Sequence, residues 1–162
     1  MPGERVRVSP SPEGTAQWPH TYTSILYHLV FSTKGRVFVI PEPASLWAYV
    51  AGVAKSLHYQ PFAIGGTGNH IHALVGVPPV VSAAEAVQKL KANSSRWLRE
   101  NGKWPGWQEG YGAFSVSASN IDAVRHYIQN QEAHHRGQTY EEEFLSFLNR
   151  FGALFDKDQV FD

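Results

Sequence analysis

A chain of 162 residues, 43% hydrophobic and 13% aromatic, fits one globular domain with its own core. It has no cysteine, which excludes disulfides, zinc–thiolate sites and thiol nucleophiles, and is compatible with a cytosolic home. No apolar run reaches the roughly 18 residues of a membrane span, and the formal net charge of zero counts against nucleic-acid binding by bulk charge.

The charges are unevenly spread. Lys89, Lys91, Arg96, Arg99 and Lys103 form a basic stretch, while Glu141, Glu142, Glu143, Asp156, Asp158 and Asp162 crowd the C-terminal end. A solvated helix face accounts for the basic stretch as well as a phosphate-binding patch does. Residues 1–20 lack the apolar segment of a secretory signal and read as a flexible arm.

Tyr22 to Ser32 is rich in β-branched and aromatic residues and lacks Gly and Pro, the pattern of a strand. A turn over Thr33–Arg36 and a short apolar run, Val37 to Ile40, lead to Pro41-Glu42-Pro43. Leu46, Tyr49, Val50, Val53 and Leu57 predict a helix over 44–58. Gln60 to Ile64 reads as a second strand, and Gly65-Gly66-Thr67-Gly68-Asn69 as a turn into a third. That glycine cluster lacks the Gly-Lys-Ser/Thr of a phosphate loop and leads into a strand.

The third strand carries His70-Ile71-His72. Alternation puts both histidines on one face and Ile71 and Ala73 on the other. Two imidazoles side by side offer two nitrogen ligands to one divalent metal, provided a third group arrives from elsewhere. If Ile71, Ala73 and Val75 face packed helices, the histidines point to the opposite face.

Ser82 with Glu85 predicts a capping box opening a helix that runs to about Glu100 and stops at Asn101-Gly102. Trp104-Pro105-Gly106-Trp107 is a loop, and Tyr111 to Ala118 alternates as a fourth strand. Ser119 or Asn120 caps the next helix, which packs through Ile121, Val124 and Ile128 and carries Tyr127 and Gln131. Four residues apart on one helix, those two face the same way. Gly137 ends it, and Tyr140 to Phe151 is a last helix with Phe144, Leu145 and Leu148 at helical spacing. His28 reads as packed or hydrogen-bonded within the sheet, and His126, His134 and His135, which flank Tyr127 and Gln131, as surface residues, with help in proton transfer as the alternative.

The order strand, helix, strand, strand, helix, strand predicts an α+β fold of ferredoxin-like (RRM-like) type. Four or five antiparallel strands carry helices on one face, and a C-terminal helix is added.

Four stretches resemble a known family. They are Tyr27-His28-Leu29-Val30-Phe31-Ser32-Thr33-Lys34, Asn69-His70-Ile71-His72-Ala73-Leu74-Val75, Gly110-Tyr111-Gly112-Ala113-Phe114-Ser115-Val116 and Tyr127-Ile128-Gln129-Asn130-Gln131. In this order they resemble the single-tyrosine transposases of small bacterial insertion sequences, and their REP-associated relatives, in the HUH (His-hydrophobe-His) nuclease superfamily.

The resemblance implies that His70, His72 and Gln131 hold one divalent metal, Mg²⁺ or Mn²⁺. It implies that Tyr127 attacks a DNA phosphodiester to give a 5′-phosphotyrosine and a free 3′-hydroxyl, without ATP. The substrate it implies is single-stranded DNA bearing hairpins, in the bacterial cytoplasm and with no membrane involved. Homodimers occur in the family, some with the tyrosine helix of one subunit against the histidines of the other; monomer and dimer stay open here. For DNA contact the candidates are Lys34, Arg36, Lys89, Lys91 and Arg96 on phosphates, and Trp104 or Trp107 stacking a base.

The resemblance divides the chain into an arm (1–20), a transposase domain (21–136) and a C-terminal helix and tail (137–162). The alternatives are a non-catalytic nucleic-acid-binding module on an RRM-like open sheet, and a domesticated transposase that binds a DNA hairpin without moving it. No stretch resembles the aromatic-rich strand motif of RRM domains.

Overall fold

The computed structural model describes residues 22–162. The predicted N-terminal arm lies outside the described residues. The elements are β1 (Leu26–Ser32), α1 (Pro43–Ser56), β2 (Gln60–Thr67), β3 (His70–Gly76), α2 (Ala83–Asn101), β4 (Gly112–Ser115), α3 (Ile121–Gln129), α4 (Gln131–His134) and α5 (Tyr140–Phe151). No helix among the described residues is long and apolar enough to cross a membrane.

The four strands form one antiparallel sheet in the order β2-β3-β1-β4, the ferredoxin-like arrangement. Alternation along the two central strands sorts their side chains. Leu29, Phe31, Ile71, Ala73 and Val75 face α1 and α2 and form the main core with Leu46, Val50, Val87 and Leu90. Their neighbours His28, Val30, His70, His72 and Leu74 face the other way. Helices α3, α4 and α5 cover that second face. Phe114, Tyr140, Phe144 and Leu148 pack over Val30, and Ile128 packs over Ala63 and Leu74. The histidines are therefore buried between the sheet and the C-terminal helices, where an RRM-like sheet would be open.

Several boundaries differ from the sequence reading. β1 starts at Leu26 rather than Tyr22. β2 continues through Gly65 and Gly66, leaving Gly68-Asn69 as the turn. The helix expected to carry both Tyr127 and Gln131 breaks at Asn130, whose ψ of 22° ends α3. Only half of the Ser82 box forms, since the Ser82 hydroxyl accepts from the Glu85 amide while the Glu85 carboxylate turns to Lys89. A complete capping box stands instead at Thr139 and Glu142, opening α5.

The candidate metal and nucleophile site

Gly65 pairs directly with His72 across the β2–β3 ladder, on the face where α3 lies. A Cβ there would sit 2.5 Å from the backbone oxygen of Ile128. Lacking one, Gly65 lets α3 settle onto the sheet, and the residue before Ile128 is Tyr127. The Tyr127 ring comes within 5.9 Å of the His72 ring, centroid to centroid, inside one chain.

Three imidazoles and a carboxylate converge at this point. Glu143 Oε1 lies 2.8 Å from His72 Nε2, 3.1 Å from His135 Nε2 and 3.6 Å from His70 Nε2. Its other oxygen accepts hydrogen bonds from the Tyr127 hydroxyl and, at 3.1 Å, from Gln131 Nε2. The Gln131 amide oxygen faces His70 Nε2 at 3.0 Å. His134 Nε2 stands 3.3 Å from the Tyr127 hydroxyl. Each imidazole is held from behind at Nδ1: His70 by Asn69 Oδ1 at 2.7 Å, His72 by His28 Nε2 at 2.8 Å, and His135 by the Gln138 carbonyl at 2.7 Å.

Burial governs the electrostatics. It pushes the His70 imidazole down to about 3, with the neighbouring His72 adding to the effect and Gln131 and Glu143 opposing it. Burial, then His72, holds His28 well below the usual imidazole range. Burial also pushes the Tyr127 phenol far up, helped by the hydrogen bond to Glu143 and its charge. At Glu143 burial acts to raise the carboxyl, but the nearby His135 imidazole and the hydrogen bonds from His72 and Tyr127 outweigh it and keep the group ionised. For His135 burial lowers the imidazole and Glu143 outweighs it, leaving it raised.

The predicted residues divide clearly. His70, His72, Gln131 and Tyr127 come together. Lys89, Lys91 and Arg96 lie on α2, across the sheet from the histidines. Lys91 donates to the Gln108 and Gly110 carbonyls, while Lys89 and Arg96 pair with glutamates on their own helix. Trp104 and Trp107 pack on each other and bond Ser95 and Ser94 of α2. Lys34 is exposed in the turn after β1. Arg36 comes closest to the site: it pairs with Glu141 at 2.6 Å and lines a cavity of about 420 Å³ with Thr67, Asn69, His135, Arg136 and Tyr140.

Sequence reasoning missed Glu143 and put His134 and His135 on the surface. In the fold His135 is almost enclosed, its side chain 11% exposed, and His134 contacts the Tyr127 hydroxyl. The break at Asn130 turns α4 back toward the sheet and brings both in. His28 is bonded within the sheet, as read. One signal for Glu143 was available: it lies on the stripe of Tyr140, Phe144, Phe147, Leu148 and Phe151, a lone carboxylate on an otherwise apolar helix face.

The donor set fits a divalent metal. Four donor atoms, from His70, His72, His135 and Glu143, lie within 4.8 Å of one another, and His135 Nε2 is buried with no hydrogen-bond partner among the described residues.

The family described as "Transposase IS200 like" matches residues 21–131. Among solved structures, the fold is similar to a proposed transposase from Deinococcus radiodurans R1, with a TM-score of 0.56 and 24% identity over 69% of this chain and 94% of that one. It is also similar to a REP-associated tyrosine transposase bound to a REP hairpin, with a TM-score of 0.52 and 13% identity over 69% of this chain and 68% of that one. No curated protein sequence matches the chain.

Proposed function

Since the chain belongs to the IS200-like transposase family, we propose that it cleaves and rejoins single-stranded DNA at hairpin-bearing ends, with Tyr127 as the nucleophile. The observation that carries this reading is the position of the Tyr127 hydroxyl, bonded to the same carboxylate that faces the His70–His72 pair. The hairpin bound to the REP-associated neighbour supports the substrate class.

In this reading His70, His72 and Gln131 face a divalent metal, Mg²⁺ or Mn²⁺. When bound, the metal supplies positive charge that polarises the phosphoryl oxygens and offsets the carboxylate field keeping Tyr127 protonated. The protein's own groups do the rest. Glu143 Oε2 takes the phenol proton as the Tyr127 oxygen bonds to phosphorus. The bond from phosphorus to the 3′-oxygen breaks, and that oxygen leaves as a hydroxyl after taking a proton from water. Gln131 and His134 hold the acid–base pair in place. Rejoining is the reverse: a 3′-hydroxyl attacks the phosphotyrosine, and Tyr127 recovers its proton. One phosphodiester is exchanged for another, so no ATP is consumed. Arg36 and Arg136, which line the cavity next to His135, are the cations placed to meet a DNA phosphate. The work would be done on DNA in the bacterial cytoplasm.

The covered second sheet face removes the platform that an RRM-type module needs. The Tyr127 ring lying beside the histidines of its own chain supports an active site formed within one subunit. The test uses 5′- and 3′-labelled hairpin-bearing oligonucleotides with Mn²⁺. Wild type gives a covalent protein–DNA band on a denaturing gel and a freed 3′-hydroxyl fragment, and Tyr127→Phe gives neither. Specific hairpin binding with no cleavage by wild type would instead favour the domesticated form.

A further inference from the structure

The hydrogen-bond network leaves a problem that only a cation or a proton solves. Asn69 Nδ2 donates to the Arg36 carbonyl at 3.1 Å, which fixes Asn69 Oδ1 as the atom facing His70 Nδ1. His70 must therefore carry its hydrogen on Nδ1, and its Nε2 presents a lone pair. Gln131 is fixed in the same way. Its Nε2 donates to Glu143, so its amide oxygen faces that lone pair at 3.0 Å. Neutral His135 repeats the pattern: Nδ1 donates to the Gln138 carbonyl, and Nε2 then turns its lone pair toward Glu143 Oε1 at 3.1 Å, outside hydrogen-bond geometry. Lone pairs facing oxygens repel, and a metal ion between them turns each repulsion into a bond.

We propose that His135 and Glu143 are metal ligands alongside His70 and His72, so that this centre takes a first-row transition dication such as Mn²⁺ in preference to Mg²⁺. The proposal shares the His70–His72 pair with the reading above but does not depend on DNA cleavage. Three imidazole nitrogens and one carboxylate oxygen make a borderline donor set that suits transition ions, whereas Mg²⁺ favours oxygen ligands and water. The groups bonded behind the imidazoles, Asn69, His28 and the Gln138 carbonyl, orient the three rings in the manner of outer-shell partners at metal sites. Burial agrees: His70 and His72 are 0% exposed and Glu143 1%, and the ion pairs of this carboxylate among the described residues are all with histidines. A buried anion so surrounded is matched by a metal cation.

The experiment titrates the full chain with Co²⁺ and Mn²⁺ in metal-free buffer and without DNA. Binding is read by Co²⁺ ligand-field absorption and Mn²⁺ paramagnetic resonance, with Mg²⁺ as competitor. Glu143→Gln and His135→Ala should each weaken binding at least ~10-fold and change the Co²⁺ spectrum. Glu142→Gln, an exposed neighbour, should not. Mg²⁺ should displace Mn²⁺ only at ~100-fold or greater excess. X-ray absorption of the Mn²⁺-loaded wild type should show three imidazoles, a readout that needs no variant to fold. Two imidazoles, with both variants binding like wild type, would overturn the proposal and leave the nuclease reading standing. Loss of the Tyr127-dependent adduct with three imidazoles intact would do the opposite.

Discussion

Replacing Gly65 with alanine tests how the site is assembled without touching any group in it. The new methyl would lie 2.5 Å from the Ile128 oxygen and 2.9 Å from its Cγ2, where ordinary contact begins at 3.4 Å. The first of these atoms is backbone, so a rotamer change cannot relieve the clash, and α3 must move outward by about 0.9 Å. Gly65 is not among the residues with positive φ, so alanine suffers no backbone strain there and the whole cost is contact. Overpacking of this kind costs about 1–3 kcal/mol, or a Tm lower by about 2–10 °C in a chain of this size. Tyr127 moves with α3, and a displacement near 1 Å at a reacting group costs roughly 100-fold in rate. Differential scanning calorimetry measures the first effect and the rate of adduct formation the second. Gly52→Ala is the control. Nothing lies within 4 Å of its Cβ position, and in mid-helix the change should stabilise by about 0.5–1 kcal/mol. If Gly65→Ala melts with wild type and forms the adduct at the same rate, the close approach of α3 does not position the nucleophile.

Three further outcomes are expected. In the metal-free protein, stability should fall on acidification below about pH 6.5: unfolded histidines take a proton there, but His70 does so in the fold only at about 3, and His28 is likewise depressed. The loss is about 1.4 kcal/mol per pH unit for each such group. Glu143, also depressed, adds to the loss at the acid end, while the stabilisation from the raised His135 is already complete below pH 6.5. A Tm unchanged between pH 6.5 and 5 would contradict this. Mn²⁺ at 100 times its dissociation constant should stabilise by about 2.7 kcal/mol, an increment that chelation or His72→Ala removes, as read by thermal unfolding. Thr139→Ala deletes the hydroxyl of the α5 capping box and should cost about 1 kcal/mol in denaturant unfolding.

Local pattern was enough for the order of the strands and for the two faces of β3. Strict alternation along β3 places His70 and His72 opposite Ile71 and Ala73, whatever else the chain does. The bounds of α5 follow from its apolar spacing. What could not be read locally depends on which surfaces meet. Gly65 and Gly66 look like turn residues because glycine is common in turns, yet Gly65 is small because a helix from sixty residues later rests on it. Glu143 sits in a run of three glutamates, and the run alone reads as a solvated end. Only the docking of α5 on the second sheet face sends one of them inward. His135 was misplaced for a related reason. A continuous helix would have carried it past the sheet, and the break at Asn130 turns it back.

The proposed chemistry requires that the nucleophile be Tyr127 and no other residue near the metal-binding group. The most direct measurement is mass spectrometry of the trapped protein–DNA adduct after nuclease trimming and trypsin digestion. Tyr127 lies in the peptide between Arg125 and Arg136, while Tyr140, whose ring is 4.9 Å from that of His70, falls in the next one. The phosphonucleotide mass is expected on the 126–136 peptide, localised to Tyr127. The same mass on Tyr140, or on any peptide outside 126–136, would contradict that chemistry.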